Sequence, residues 1–222
     1  MEEVKWERHD LVYLTPEGKR QAFRYGEKEA GDSYSRECFQ KTISRCPGIV
    51  RRQEHTGDGP RLLQLGFSWY ERRGGSRMRF ASQAAPEEIV RLEKPWEVCT
   101  GERHMKNQKL EQRLRAVLED GKKCGICLGV FGSCALELAT GLPYTDECSD
   151  LDLIVVWDGE KIRDFYENCR EITGDIGLDL EILFPDQGSV KAAEWFSGAY
   201  TLLIKDLSGP RLIGREELEQ LR

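Results

Sequence analysis

In the second half of the chain the apolar positions change period several times, and each change marks an element. Leu110, Leu114, Val117 and Leu118 recur at helical spacing, with Gly121 behind them as the expected stop. "CGICLGVFG" reads as a buried strand opened by Cys124, and "SCALELATG" as a short helix. "LDLIVVW" is a strand. Residues 160–172 form a helix with Ile162, Phe165, Cys169 and Ile172 on one face. "GLDLEILF" gives a third strand, "SVKAAEWFSG" a helix, "AYTLLIKD" an extended segment and "REELEQLR" a terminal helix. Strands alternating with helices predict an α/β arrangement over a central sheet.

The first half has a different texture and predicts strands joined by loops. "HDLVYLTP" is a short strand closed by Pro16, and "GIVRRQ" is another. "LLQLGFSWYERRGGSRMRFAS" reads as two strands turning at Gly74-Gly75. Residues 84–100, with Pro86 and Pro95, read as a connection. The chain therefore divides into a β-rich domain over residues 1–90 and an α/β domain over 91–222, which makes it α+β overall.

Composition sharpens this only locally. No run approaches the roughly 20 apolar residues of a membrane span, and "MEEVKWERHD" lacks an apolar signal-peptide core. These features predict a cytoplasmic protein without membrane contact. A net charge of −6 argues against a nucleic-acid partner. Residues 45–79 run the other way. They hold Arg45, Arg51, Arg52, Arg61, Arg72, Arg73, Arg77 and Arg79 against Glu54, Asp58 and Glu71. That basic stretch suits phosphates, an acidic partner or a solvated hairpin. Eight cysteines without a signal peptide read as reduced thiols. Cys124-x-x-Cys127 lacks a second pair, and His9, His55 and His104 have no ligand spacing, so Cys124 reads as a small buried hydrophobe.

The chemistry gathers around "FGSCALELATG" and "SDLDLIVVW". Strand alternation sets Asp150 and Asp152 on one face, with Leu151, Leu153 and Val155 pointing into the core. Asp179 and Glu181 share a face in the same way. Neighbouring strands would bring three or four carboxylates together, a self-repelling cluster. Divalent Mg²⁺ resolves the repulsion, because it takes carboxylate oxygens together with substrate phosphates. Gly132 lets the backbone approach a ligand, and Ser133 is expected to cap a helix whose N-terminus faces a phosphate. An anion cradle beside a metal-binding acid cluster suits phosphoryl or nucleotidyl transfer.

Gly132-Ser133, Asp150-x-Asp152 and the later acidic strand resemble the signature of the nucleotidyltransferase superfamily that includes DNA polymerase β. The sixteen residues between Ser133 and Asp150 are a long gap, and "TGLPYTDECSDLDL" resembles one branch. That branch is the malonate decarboxylase holo-[acyl-carrier protein] synthases, also called phosphoribosyl-dephospho-CoA transferases. "RHDLVYL", "PGIVRRQ", "LQLGFSW" and "LLIKDLSGPRLI" resemble the same branch. The resemblance implies a polymerase β-like catalytic domain with a mixed sheet and flanking helices. It also implies transfer from 2′-(5″-triphosphoribosyl)-3′-dephospho-CoA to a serine of an apo acyl-carrier protein, with loss of pyrophosphate. Asp150 and Asp152 would hold Mg²⁺ or Mn²⁺, and Asp179 or Glu181 would complete the cluster. Gly132 and Ser133 would hold phosphates, and Lys205 would neutralise the leaving pyrophosphate. Arg51 and Arg52, on opposite faces by alternation, would grip the CoA phosphates or greet an acidic carrier. An ATP-using nucleotidyltransferase, a non-catalytic nucleotide-binding module and a plain interaction protein are the alternatives.

Overall fold

The computed structural model describes residues 5–53, 62–98 and 103–220. It is a mixed α+β structure that divides into two compact units, residues 1–94 and 95–222. In chain order the first unit comprises β1 (Leu11–Leu14), α1 (Pro16–Gly26), α2 (Ser33–Arg45), β2 (Gly48–Val50), β3 (Leu63–Arg73), β4 (Ser76–Ala84) and β5 (Ile89–Glu93). The strands form one antiparallel sheet in the order β4-β3-β2-β1-β5.

The two helices correct the expectation of strands and loops. Pro16 does not close a strand against a loop; it opens α1, where a missing N–H costs nothing. The Thr15 side chain accepts from the Gly18 N–H and caps that helix. Asp32 caps α2 by accepting from the Ser35 N–H. The buried residues of α1 are Gly18, Ala22 and Gly26, so its inner face carries no large apolar periodicity. Phe39 of α2 is fully buried and stacks on Phe80 at 4.7 Å, with Phe23 and Phe67 also around it. The β3–β4 hairpin forms as expected, since Gly74 and Gly75 both take positive φ (59° and 85°). Within the expected connection lies β5, paired with β1.

Arg51 and Arg52 do not alternate across a strand. The strand β2 ends at Val50, after which the Arg51 N–H and the Gln53 side chain both bond the Gln64 backbone. Both arginines follow the strand and are exposed. Arg72 donates to the Gly75 carbonyl, and Arg73 lies over the Tyr34 ring. Arg61, Glu54, Asp58 and His55 lie outside the described residues.

The second unit comprises α3 (Pro95–Val98), α4 (Gln108–Cys124), β6 (Leu128–Val130), α5 (Gly132–Thr140), β7 (Leu151–Val156), α6 (Lys161–Thr173) and β8 (Leu178–Phe184). It continues with β9 (Gly188–Lys191), α7 (Ala192–Phe196), β10 (Thr201–Lys205), β11 (Pro210–Gly214) and α8 (Arg215–Glu219). Its sheet runs β11-β10-β9-β8-β7-β6, antiparallel throughout except for the parallel pair β7–β8, which α6 connects. Leu110, Leu114 and Val117 of α4 are buried, as are Ile162, Phe165 and Cys169 of α6. The two helices pack on each other.

Three local expectations change here. Gly121 is not the stop of α4: it lies inside the helix, where a Cβ would stand 3.5 Å from the Phe165 ring. The stop is Gly125 in the left-handed region, whose N–H reaches the Gly121 and Lys122 carbonyls. Cys124 is therefore the last helical residue and is exposed, as is Cys127; the strand is confined to Leu128–Val130. "SVKAAEWFSG" splits, with Ser189, Val190 and Lys191 in β9 and only Ala192–Phe196 helical. No described helix is long and apolar enough to cross a membrane.

Replacing Phe39 with Ala removes a buried ring from the four-ring cluster and leaves a cavity. A loss of about 3–5 kcal/mol is expected, read as a shifted urea midpoint for the amide protection of β3 and β4; an unshifted midpoint would show that this cluster does not hold the first unit.

Candidate active site

The register of β7 and β8 assembles the acids. Asp152 pairs with Asp179, and Ile154 with Glu181, so strand parity puts Asp152, Asp179 and Glu181 on one face. Leu151, Leu153 and Val155 fill the opposite, buried face. Asp150 is the residue before β7 and is exposed.

Asp152 is the focus. Its carboxyl is pushed up to about 6 by burial first, then by the negative charges of Asp179 and Asp150, with Glu181 adding less. The backbone N–H of Ser133 donates to it and works the other way. Asp152 thus feels the other three acids. Two glycines make the room. A Cβ on Gly132 would stand 1.9 Å from Asp152 Oδ2, and one on Gly177 would stand 2.1 Å from Asp150 Oδ1. Gly132 also has φ +64°, the left-handed region that glycine adopts freely.

Helix α5 begins at Gly132, with Phe131 as the residue before it and no side-chain cap. Ser133 therefore does not cap the helix with its hydroxyl as expected. Its main chain spends an otherwise orphaned N–H on Asp152.

The acids on β8 have basic partners. Lys191 Nζ lies 2.7 Å from Asp179 Oδ2. Glu181 is almost fully buried, accepts from the Ser189 hydroxyl and faces Lys205 Nζ at 3.6 Å. Among the described residues, no three His, Cys, Asp or Glu side chains stand arranged as a metal cage. A Mg²⁺ ion needs less than that, because one or two carboxylates plus substrate phosphates are its usual set. Asp150 and Asp152 are hard oxygen donors that, among the described residues, make no direct ion pair, so they fit such an ion. Of the two β8 acids, Asp179 is level with Asp152, while Glu181 is tied down by Ser189.

Two contributors were not singled out from sequence. Glu137 of α5 is fully buried and accepts from the Lys106 N–H, the Thr145 N–H and the Thr145 hydroxyl. It thereby ties down the long segment between α5 and Asp150. Its signal was an acid inside the apolar helix "CALELA". Lys191 was hidden by the helical reading of its segment. Beside Asp150 opens a cavity of about 560 Å³, lined also by Asn107, Lys109, Ser149 and Gly177. Arg51 and Arg52 belong to the other unit, residues 1–94.

Comparison with known proteins covers nearly the whole chain. The family described as phosphoribosyl-dephospho-CoA transferase MdcG, C-terminal domain, matches residues 98–216, and the MdcG N-terminal domain matches residues 7–95. A phosphoribosyl-dephospho-CoA transferase of Xanthomonas euvesicatoria pv. vesicatoria is 29% identical over 223 residues, spanning 97% of each chain. Its counterpart in Xanthomonas campestris pv. campestris is 25% identical over 226 residues, spanning 95% of each. One from Pseudomonas fluorescens is 30% identical over 135 residues, 57% of each chain. No solved structure matches.

The raised Asp152 carboxyl makes a signed prediction for metal-free protein. A folded-state value above the ordinary 3.8 favours the protonated form, so stability is full below about pH 4 and falls as pH rises through about 6. Asp152→Asn removes that loss and keeps an acceptor for Ser133. It is expected to stabilise the protein by about 1–3 kcal/mol at pH 7.5 and by little at pH 3.5. Denaturant unfolding at both pH values checks this, and an equal effect at the two would contradict it.

Proposed function

The chain belongs to the phosphoribosyl-dephospho-CoA transferase family, and we propose that it transfers that group from 2′-(5″-triphosphoribosyl)-3′-dephospho-CoA to a serine of an apo acyl-carrier protein, such as the carrier of malonate decarboxylase, in a Mg²⁺- or Mn²⁺-dependent reaction. The observation that carries the proposal is the pairing of Asp152 with Asp179 on adjacent parallel strands, directly against the N-terminus of α5 at Gly132 and Ser133. We infer that residues 95–222 form a polymerase β-like nucleotidyltransferase domain, which the glycine–serine turn followed by the paired acids supports.

In this mechanism the serine oxygen bonds to the α-phosphorus of the donor, and the α-phosphate bond to pyrophosphate breaks. Pyrophosphate leaves with the electron pair. We assign the serine proton to Asp179, half-buried and level with Asp152. Asp150 and Asp152, with Asp179 completing the set, would hold the divalent ion, which supplies charge neutralisation of the triphosphate when bound. The backbone at Gly132 and Ser133 would face the β- and γ-phosphates, and a side chain on Gly132 would strike the Asp152 carboxylate. Lys205, on the same sheet face, offsets the charge gathering on pyrophosphate. The cavity beside Asp150 has the size of a nucleotide-scale pocket and would take part of the dephospho-CoA. Arg51, Arg52 and the Arg72/Arg73 hairpin end are exposed and suit steering of an acidic carrier.

The test is transfer of labelled prosthetic group to apo carrier. Transfer is expected with Mg²⁺ or Mn²⁺, to vanish with EDTA, and to fall by at least about 10³-fold in Asp150→Asn and Asp152→Asn, a loss of about 4 kcal/mol of transition-state stabilisation. ATP in place of the donor should label nothing; efficient labelling from ATP would move the protein to a different nucleotidyltransferase activity. Gly132→Ala drives a Cβ into the Asp152 carboxylate and is expected to cost a similar factor in rate. Near wild-type transfer by that variant would move the phosphate site elsewhere.

A further inference from the structure

We propose that Lys191 is an exchangeable counter-ion: it neutralises Asp179 while the site holds no metal, and it moves to a phosphate of the donor when a divalent cation engages Asp179. This rests on the metal-dependent reading above and assigns a role to a residue which that reading leaves unused.

Three observations carry it. The first is register. Lys191 pairs across the ladder with Glu181, yet its ammonium reaches along the strand to Asp179, 2.7 Å away. The second is freedom. The Lys191 side chain is 47% exposed and that of Asp179 is 30% exposed, whereas Glu181 is 4% exposed and fixed by both Ser189 and Lys205. An exposed ion pair is weak and opens easily; a buried one does not. Of the two β8 acids, Asp179 is the one whose lysine is free to exchange. The third is charge. Without the ammonium, Asp179 would stand unneutralised beside Asp152, its partner in the β7–β8 register and a carboxylate on which its charge already acts. Departure of Lys191 is therefore tied to arrival of another cation. Lysine suits the motion, as a compact charge on a flexible four-carbon stem that binds phosphate from many directions.

The experiment uses the full-length protein and two readouts that do not depend on turnover. Free Mn²⁺ is titrated by electron paramagnetic resonance, and donor binding is measured by calorimetry in Ca²⁺. Lys191→Met is expected to bind Mn²⁺ alone about two- to fivefold more tightly, since its competitor for Asp179 is gone. The same variant is expected to bind triphosphoribosyl-dephospho-CoA about tenfold or more weakly, for loss of a charge-assisted phosphate contact. Lys191→Arg should restore most of the donor affinity. Unchanged affinities in Lys191→Met, or both moving in one direction, would reduce Lys191 to an ordinary surface ion pair. If wild type binds Mn²⁺ and Asp152→Asn does not, the metal reading stands whatever Lys191 does; if wild type binds none even with donor present, both fall together.

Discussion

Repulsion on Asp152 from Asp179 and Glu181 on the same sheet face, and from Asp150 just before β7, is the constraint around which the second unit is built. Two like charges 4 Å apart cost about 4 kcal/mol at a surface-like effective dielectric. Every acid here has a distinct means of bearing that cost. Asp150 stays in solvent. Asp152 takes the Ser133 N–H and the positive end of α5. Asp179 takes the exposed Lys191. Glu181 takes a buried hydroxyl and a second lysine. The balance is incomplete at Asp152, where burial outweighs the helix terminus and the carboxyl stays far above its ordinary range. A site left short of positive charge is prepared for a ligand that brings it.

Space is as tightly managed as charge. Two of the acids lie against glycine: Asp152 on Gly132 and Asp150 on Gly177. Each glycine begins or precedes an element, α5 in one case and β8 in the other, so the acids are wedged where two chain segments enter the sheet. The buried clasp of Glu137 on Thr145 and Lys106 fixes the longer approach to Asp150. The carboxylates are thus positioned by backbone, which has less freedom than side chains to relax away from one another.

Much of this was legible from the sequence. The alternation around Asp152 and Asp179 carries strand parity directly, and the Gly74-Gly75 hairpin and α6 declare themselves through turn chemistry and a clear apolar stripe. What escaped has physical causes. Helix α1 buries glycine and alanine, which leave no hydrophobic period to read. The strand β9 is four residues long and runs into helix-forming alanines, so its parity, and Lys191 with it, stays hidden. Gly121 looks like a stop because glycine ends many helices; here its missing side chain admits Phe165. Ser133 has the composition of a cap, and only the register of β7 reveals that its main chain serves Asp152 instead.

The lone parallel pair has a consequence for synthesis of the chain. Hairpin-joined strands can zip up as they emerge, but β7 and β8 must wait for a crossover, and non-local pairings of this kind form late. Asp152 and Asp179 face each other only once α6 has folded back between them. A nascent chain that has released only as far as Val156 carries the glycine–serine turn and two of the acids, without the strand that completes the charge cluster. The arrangement therefore withholds the full acid cluster from partly made protein until Leu178–Phe184 of β8 has been added.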